Sequence, residues 1–199
     1  MNFIVNRQNL KNVKLNYNNL NATEHFFTDT FGENPIVNTS LKVCYYNKKL
    51  IFAFRSYFDG ELPNQYMKKG GKVFRSESVE VMLAIDSKNV NYYSFAVSPY
   101  NKTFIAYITN FDSMKPLPLE IESDLIKSNA YIRSGYYDVI MVIPLNKFVD
   151  GFNVKNTELY FNAFRVNMEG GKRKSSCLYK TNSISHHVPE SFTKIEIVE

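Results

Sequence analysis

Phe74-Arg-Ser-Glu-Ser-Val-Glu-Val-Met-Leu-Ala-Ile-Asp86 is the stretch on which the fold turns. Val79, Val81, Leu83 and Ile85 share one parity, so in a strand they all face one core. The other parity, Ser76, Ser78 and Glu80 followed by Met82 and Ala84, begins polar and ends apolar. The expectation is a strand buried along one side and open at one end of the other. Glu77 interrupts the apolar parity where the chain leaves a loop. Glu77 and Glu80 thus place a carboxylate on each side of the strand mouth, beside Arg75. They can serve a polyol or one another. A strand end with an Arg–Glu surface pair is the plainer reading, and the residues leave both open.

Strand signals continue on both sides. Thr39–Tyr46 alternates, Asn47-Lys48-Lys49 turns, and Leu50–Phe58 runs back, which predicts a hairpin. Arg55 and Tyr57 share a face at the end of its second strand. Asp59-Gly60 through Gly70-Gly71 is a long loop holding Tyr66 and Met67, a length often tied to function. Asn89–Pro99 and Lys102–Asn110 predict another hairpin, and Pro116 and Pro118 a crossover. Ile121–Ile132 and Tyr136–Ile143 pair through Ser134-Gly135. Pro144-Leu-Asn-Lys-Phe148 predicts one short helical turn. Glu158–Asn167 is a strand, Gly170-Gly171 a turn, Lys172-Arg173-Lys174 a solvated hairpin tip, and Lys194–Val198 the last strand. Near the start, Phe3-Ile-Val5 and Val13-Lys-Leu15 predict short edge strands in a segment where Asn supplies eight of the first 21 residues. Strands about every ten residues without a βαβ rhythm predict an all-β protein, an antiparallel β-sandwich of jelly-roll or immunoglobulin-like type, forming a single domain over 1–199.

Composition agrees. The 199 residues allow a substantial core, and 16 Phe and 14 Tyr with no Trp suit β-structure. A net charge of +5 from scattered lysines does not make a nucleic-acid surface. No run approaches a membrane span, and Met-Asn-Phe-Ile-Val-Asn-Arg lacks an apolar leader. The chain as written is expected to stay where it is made, or to be secreted if a leader was removed. Cys44 reads as a small buried residue; Cys44 and Cys177 are too few for a disulfide framework, though a single bridge stays open. His25-Phe-Phe27 reads as a buried anchor, with no carboxylate motif near enough to make His25 catalytic.

Together these segments resemble the family 9 carbohydrate-binding modules. Leu50-Ile-Phe-Ala-Phe-Arg55 is similar to that family's Leu-Tyr-Val-Ala-Phe-Arg strand, and Val73–Leu83 to its Trp-x-x-Asp-x-Val-Glu-Ile-Phe strand. Tyr92–Pro99 resembles Tyr-Tyr-x-Phe-x-Val-x-Pro, and Tyr136–Pro144 resembles Gly-Trp-x-x-Glu-x-x-Ile-Pro. Phe161-Asn-Ala-Phe-Arg165 is similar to Asn-Phe-x-Arg, and His187-Val-Pro-Glu-Ser-Phe192 to His-x-Pro-x-x-Phe-Gly. The order spans residues 36–198. The resemblance implies a non-catalytic domain that binds one or a few sugar units in a shallow site on the loop-bearing face, associated with glycan breakdown. It implies a sugar held between two indoles, at positions occupied here by Phe74 and His186. The polar positions it carries over are Arg55, Glu77, Glu80, Asn162 and Arg165. Glu77 stands for an Asp, Thr193 for a Gly, and the family's Asp-Gly-x-x-Asp-x-x-Trp opening is missing.

Each residue also has a structural reading. Glu80 and Arg165 can bridge across the sheet, Asn162 can satisfy backbone at a strand end, and Phe74 can be core. His186 and His187 point to opposite faces of a strand, which argues against a two-His metal clamp. Some members of the family carry structural calcium, for which Asp59, Glu61 and Asp112 could supply oxygens; no cofactor or metal is assigned. A sandwich that kept the fold and serves protein interaction is the first alternative function. A glycoside hydrolase is the second, opposed by the two parities of Glu77 and Glu80. Carbohydrate is thus the expected partner, with neither nucleic acid nor membrane, and oligomeric state is left open.

Overall fold

The computed structural model describes residues 2–11, 13–33, 39–62, 73–86, 91–109, 117–169 and 172–198. The deciding stretch forms a short 3-10 turn, Val73–Arg75, and then a strand, Ser78–Ala84. In chain order the first strands are β1 (Phe3–Arg7), β2 (Glu24–Phe26), β3 (Thr28–Asp29), β4 (Thr39–Tyr46), β5 (Lys49–Tyr57) and β6 (Ser78–Ala84). They are followed by β7 (Tyr92–Val97), β8 (Thr103–Thr109), β9 (Leu117–Ile121), β10 (Lys127–Arg133) and β11 (Tyr136–Pro144). The last three are β12 (Tyr160–Glu169), β13 (Lys172–Cys177) and β14 (Thr193–Val198).

The strands run β10-β11-β5-β4-β1-β14-β12-β6-β7-β8-β9. The path folds over so that β10 to β1 form a first sheet and β14 to β9 a second, and the inner faces share one core. Phe52, Phe54, Val139 and Met141 come from the first sheet; Val79, Val81, Leu83, Phe95 and Phe161 come from the second. All pairings are antiparallel except the two made by β1, which runs parallel to both β4 and β14. β1 was expected at an edge. It is the seam between the sheets, because Phe3 and Val5 fill the core where the sheets meet. Val13–Leu15 forms no strand; it packs with Leu10, Tyr17 and Leu20 over Cys44, Ile51, Ala53 and Ile140 on the outer face of the first sheet.

β6 departs from expectation at its mouth. All seven of its residues are buried, Ser78 and Glu80 included. Its outward side chains pack in a cluster that includes Tyr92, Phe164 and Phe192, with Phe104 partly buried at the margin.

Turn chemistry accounts for the hairpins. Asn47 and Lys48 adopt φ of +45° and +59°, a two-residue turn whose twist matches that of the strands it joins. Gly135 takes φ +80° between β10 and β11, where a side chain would be strained. Ile121 ends β9 and does not begin β10: a 3-10 turn at Ser123–Leu125 carries the chain from the second sheet to the first. Pro118 sits in β9, an edge strand that tolerates a missing N–H. The turn after Pro144 is a 3-10 turn, Leu145–Lys147. Lys172–Lys174 begins β13, with all three side chains exposed. Tyr66, Met67, Pro116 and the Gly70-Gly71 and Gly170-Gly171 pairs lie outside the described residues.

Candidate functional site

Across the outer face of the second sheet the register aligns Phe104, Ala96, Glu80, Phe164 and Cys177, one from each of β8, β7, β6, β12 and β13. Glu80 sits near the middle. Ser94 donates from Oγ to its Oε1 at 2.6 Å, and His186 Nδ1 lies 2.9 Å from its Oε2. Burial pushes the Glu80 carboxyl up, but the His186 hydrogen bond and charge and the Ser94 hydroxyl outweigh it and hold the group below its ordinary value. The His186 ring lies flat on Phe164, with centroids 4.4 Å apart and planes at 11°. One imidazole face is therefore already taken. Its Nε2 is buried and has no hydrogen-bond partner among the described residues.

At the other end of the row the Val73–Arg75 turn sets Phe74 against Phe104, with centroids 5.0 Å apart. Phe74 is half-buried, neither sealed in the core nor free. The Phe104 and Phe164 strands are three positions apart, roughly 14 Å at the usual strand spacing. Glu80 and the small Ala96 lie between the two aromatic ends.

Asn162 fixes the segment that carries His186. Its Nδ2 donates to Tyr179 O at 2.8 Å and to Ser191 Oγ at 2.9 Å, and its Oδ1 accepts from the Ala163 and Tyr179 amides. Ser191 Oγ in turn donates to Val188 O at 2.7 Å. Nearby, Tyr92 OH meets His187 Nδ1 at 2.7 Å, and burial lowers the His187 pKa.

Glu77 and Arg165 are elsewhere. Both lie between the sheets, where Arg165 Nε and Nη2 reach Glu77 Oε1 at 2.9 and 2.7 Å. The cross-sheet bridge weighed for Arg165 with Glu80 therefore forms with Glu77, because Arg165 faces inward with Phe161 and Ala163, whereas Glu80 faces outward. Tyr137 OH and the Met168 amide also donate to Glu77, and Arg165 Nη1 donates to Tyr57 O and Thr39 Oγ1. Arg55 is on the outer face of the first sheet, paired with Asp138 through bonds of 2.8 and 2.9 Å.

The seven expected residues thus fall into three places. Phe74, Glu80, Asn162 and His186 share the outer face of the second sheet; Glu77 and Arg165 share the interior; Arg55 is on the far side. Ser94, Phe104, Phe164 and Asp138 went unread in the sequence, since each becomes a partner only through cross-strand register. Asp59 and Glu61 are exposed, and Asp112 lies outside the described residues. Among the described residues no three His, Cys, Asp or Glu side chains gather as a metal site. Both cysteines are free and buried.

No family model matches the chain, and no curated protein does. Solved structures do. A candidate carbohydrate-binding protein from Bacteroides uniformis ATCC 8492 superposes with TM-score 0.70 at 10% identity, over 89% of this chain and 87% of that one. A family 9 carbohydrate-binding module from Caldicellulosiruptor kristjanssonii, in complex with cellotriose, gives 0.67 at 13% identity, over 98% and 92%. The same kind of module from that organism, in complex with glucose, gives 0.65 at 12% identity, over 98% and 95%. The fold is that of the family 9 carbohydrate-binding modules.

Proposed function

We propose that this chain binds carbohydrate without transforming it, holding a terminal sugar unit or two on the outer face of the second sheet, between Phe74 and His186. The observation that carries this reading is the row itself: a half-exposed ring at one end, a buried imidazole with an unpartnered Nε2 at the other, and a carboxylate between them. The apolar C–H face of a pyranose stacks on a flat ring, and its hydroxyls must recover the hydrogen bonds they lose from water. Phe74 supplies the ring. His186 acts through Nε2 and not as a stacking plane, since Phe164 already covers one of its faces. Glu80 sets the imidazole's orientation, and Asn162 anchors the segment behind it. That the fold is shared with modules solved with cellotriose and glucose supports the same reading.

A hydrolytic role is disfavoured by geometry. Glu77 faces the interior and Glu80 the outside, so the two cannot flank one glycosidic bond. A glycan panel incubated with the protein is expected to release no reducing sugar.

The test is a titration with glucose, cellobiose, xylose and mannose, followed by tyrosine fluorescence and amide chemical shifts. Saturable shifts around Phe74, Glu80 and His186 are expected, and Phe74→Ala should abolish them. Shifts that survive Phe74→Ala, or none with any sugar, would remove this site. A specific observation favours a protein-interaction sandwich as the second reading: Glu77, Arg165, Asn162 and Arg55 each bond to other parts of the chain. Under that reading no saccharide binds and a protein co-purifies.

A further inference from the structure

Arg55 lies far from the row just described, and its surroundings form a surface of their own. On the outer face of the first sheet the register aligns Tyr57, Tyr136 and Arg133 across β5, β11 and β10. Two residues along on the same face it aligns Arg55, Asp138 and Tyr131. The coil that covers the Ala53 and Ile140 half of this face reaches Arg55 through Tyr17 and Asn18. Tyr57 remains 45% exposed, its ring 5.6 Å from that of Tyr136.

Arg55 is held from several sides by hydrogen bonds and two rings. Its guanidinium carbon sits 4.3 Å from the Tyr17 ring centroid and 4.7 Å from that of Tyr136. Nε and Nη2 fork onto Asp138, and Nη2 also donates to Asn18 at 3.1 Å. Nη1 donates to no described residue and is not among the buried unpaired atoms, so its N–H groups are available on a side chain already held in place. Arg133 is exposed and makes no ion pair among the described residues; its guanidinium carbon lies 5.9 Å from the Tyr131 ring centroid. Asp138 pairs with Arg55, whose charge Glu24 also feels beside Lys42, whereas Arg133 has no such carboxylate among the described residues.

We propose that Tyr57, Tyr136, Arg55 and Arg133 form a second saccharide site, selective for an acidic sugar such as a uronic acid unit of a polysaccharide. The sugar's apolar face stacks on the Tyr57 and Tyr136 rings. Its carboxylate accepts from the outward N–H groups of Arg55 and pairs with Arg133, the complement of the unbalanced positive charge here. Two guanidinium groups beside paired rings fit one carboxylate on one ring-shaped unit. A nucleic-acid backbone would call for a longer track of cations. The site stands independently of the one at Phe74.

Site-resolved NMR titration with trigalacturonate decides the matter, with cellotriose and triglutamate as controls. Trigalacturonate should shift Tyr57, Tyr136, Arg55 and Arg133 saturably, and the affinity should fall with added salt. Tyr57→Ala and Arg133→Gln alter exposed side chains, so they should leave the melting temperature in place while weakening binding by about tenfold. An equal response of these residues to cellotriose or to triglutamate overturns the proposal. So does a trigalacturonate response confined to Phe74 and His186, which would leave the first site standing. Shifts at Tyr57 with none at Phe74 for any saccharide keep this site and remove the other, and silence everywhere removes both.

Discussion

Arg165 and Glu77 meet between the sheets with two N–H groups of the guanidinium aimed at a single carboxylate oxygen. Both side chains are almost wholly buried, at 0% and 2% exposure. The pair belongs to the second sheet, yet Arg165 Nη1 also bonds to Thr39 and Tyr57 of the first at 3.1 and 2.7 Å, and Tyr137 of the first donates to Glu77 at 2.8 Å. One buried ion pair thereby ties the two layers at one end of the core.

Breaking that tie leaves a charge buried without its partner. Arg165→Met and Glu77→Gln should each lower stability by about 3–5 kcal/mol. The double variant should lose less than the sum of the two. Urea denaturation measures all three, and a full additive loss would mean the pair is not coupled.

Asn162 offers a test of position against contact. Asn162→Ala takes the side-chain partner from the Tyr179 amide and carbonyl, while the Ser191 hydroxyl keeps its bond to Val188 O, with an expected cost of about 2–3 kcal/mol. Sugar affinity at low temperature, where the variant is still folded, should fall only as far as His186 loses its place. A larger fall than His186→Ala produces would indicate that Asn162 touches the ligand.

Stability should decline toward acid in two stages. His187, facing Tyr92, Glu80, His186 and Arg173, has its pKa lowered chiefly by burial, as has His25. A base with a depressed folded pKa leaves stability unchanged above its unfolded value. As pH falls below about 6.5 the unfolded chain takes up protons that the folded chain resists, and stability drops. Glu80 and Glu24 have folded values below the ordinary one, so their stabilisation is present above about pH 4.3 and is lost as pH falls through the folded values. Melting temperature against pH should show both stages, and His187→Gln with His25→Gln should flatten the upper one alone.

The thiols should be inert in the native state. Burial pushes Cys44 up to about 12 and Cys177 to about 11. Neither is bridged. A disulfide-exchange reagent at neutral pH should label neither until denaturant is added, after which both should react. Rapid labelling of the native protein would contradict this burial.

Alternation made much of the fold legible. Thr39–Tyr46 and Leu50–Phe58 read as a hairpin, with β4 and β5 differing from those limits by a residue at most. Val79, Val81 and Leu83 read as core because their parity is unbroken, and they are core. The polar beginning of the opposite parity suggested an open mouth, whereas Glu80 is covered there by His186 and Ser94. These lie 106 and 14 residues away in sequence, so no local pattern announces them.

For the candidate sites, residue types carried part of the answer. Motif order groups all seven residues in one site; that Phe74, Glu80, Asn162 and His186 share one face, while Glu77, Arg165 and Arg55 lie elsewhere, is settled by cross-strand register and contact. Parity says that Glu77 and Glu80 diverge without saying which of them meets Arg165. Arg55 shows the limit most plainly: its strand is readable, yet its sheet, its face and its partner Asp138 are not. Side-chain period and turn residues act within about ten positions, so the amino-acid sequence by itself determined strands, hairpins and the inward parity of the core. Which sheet each strand joins, and which polar groups then neutralise one another, depends on packing between segments far apart in the chain. Those choices belong to the tertiary structure.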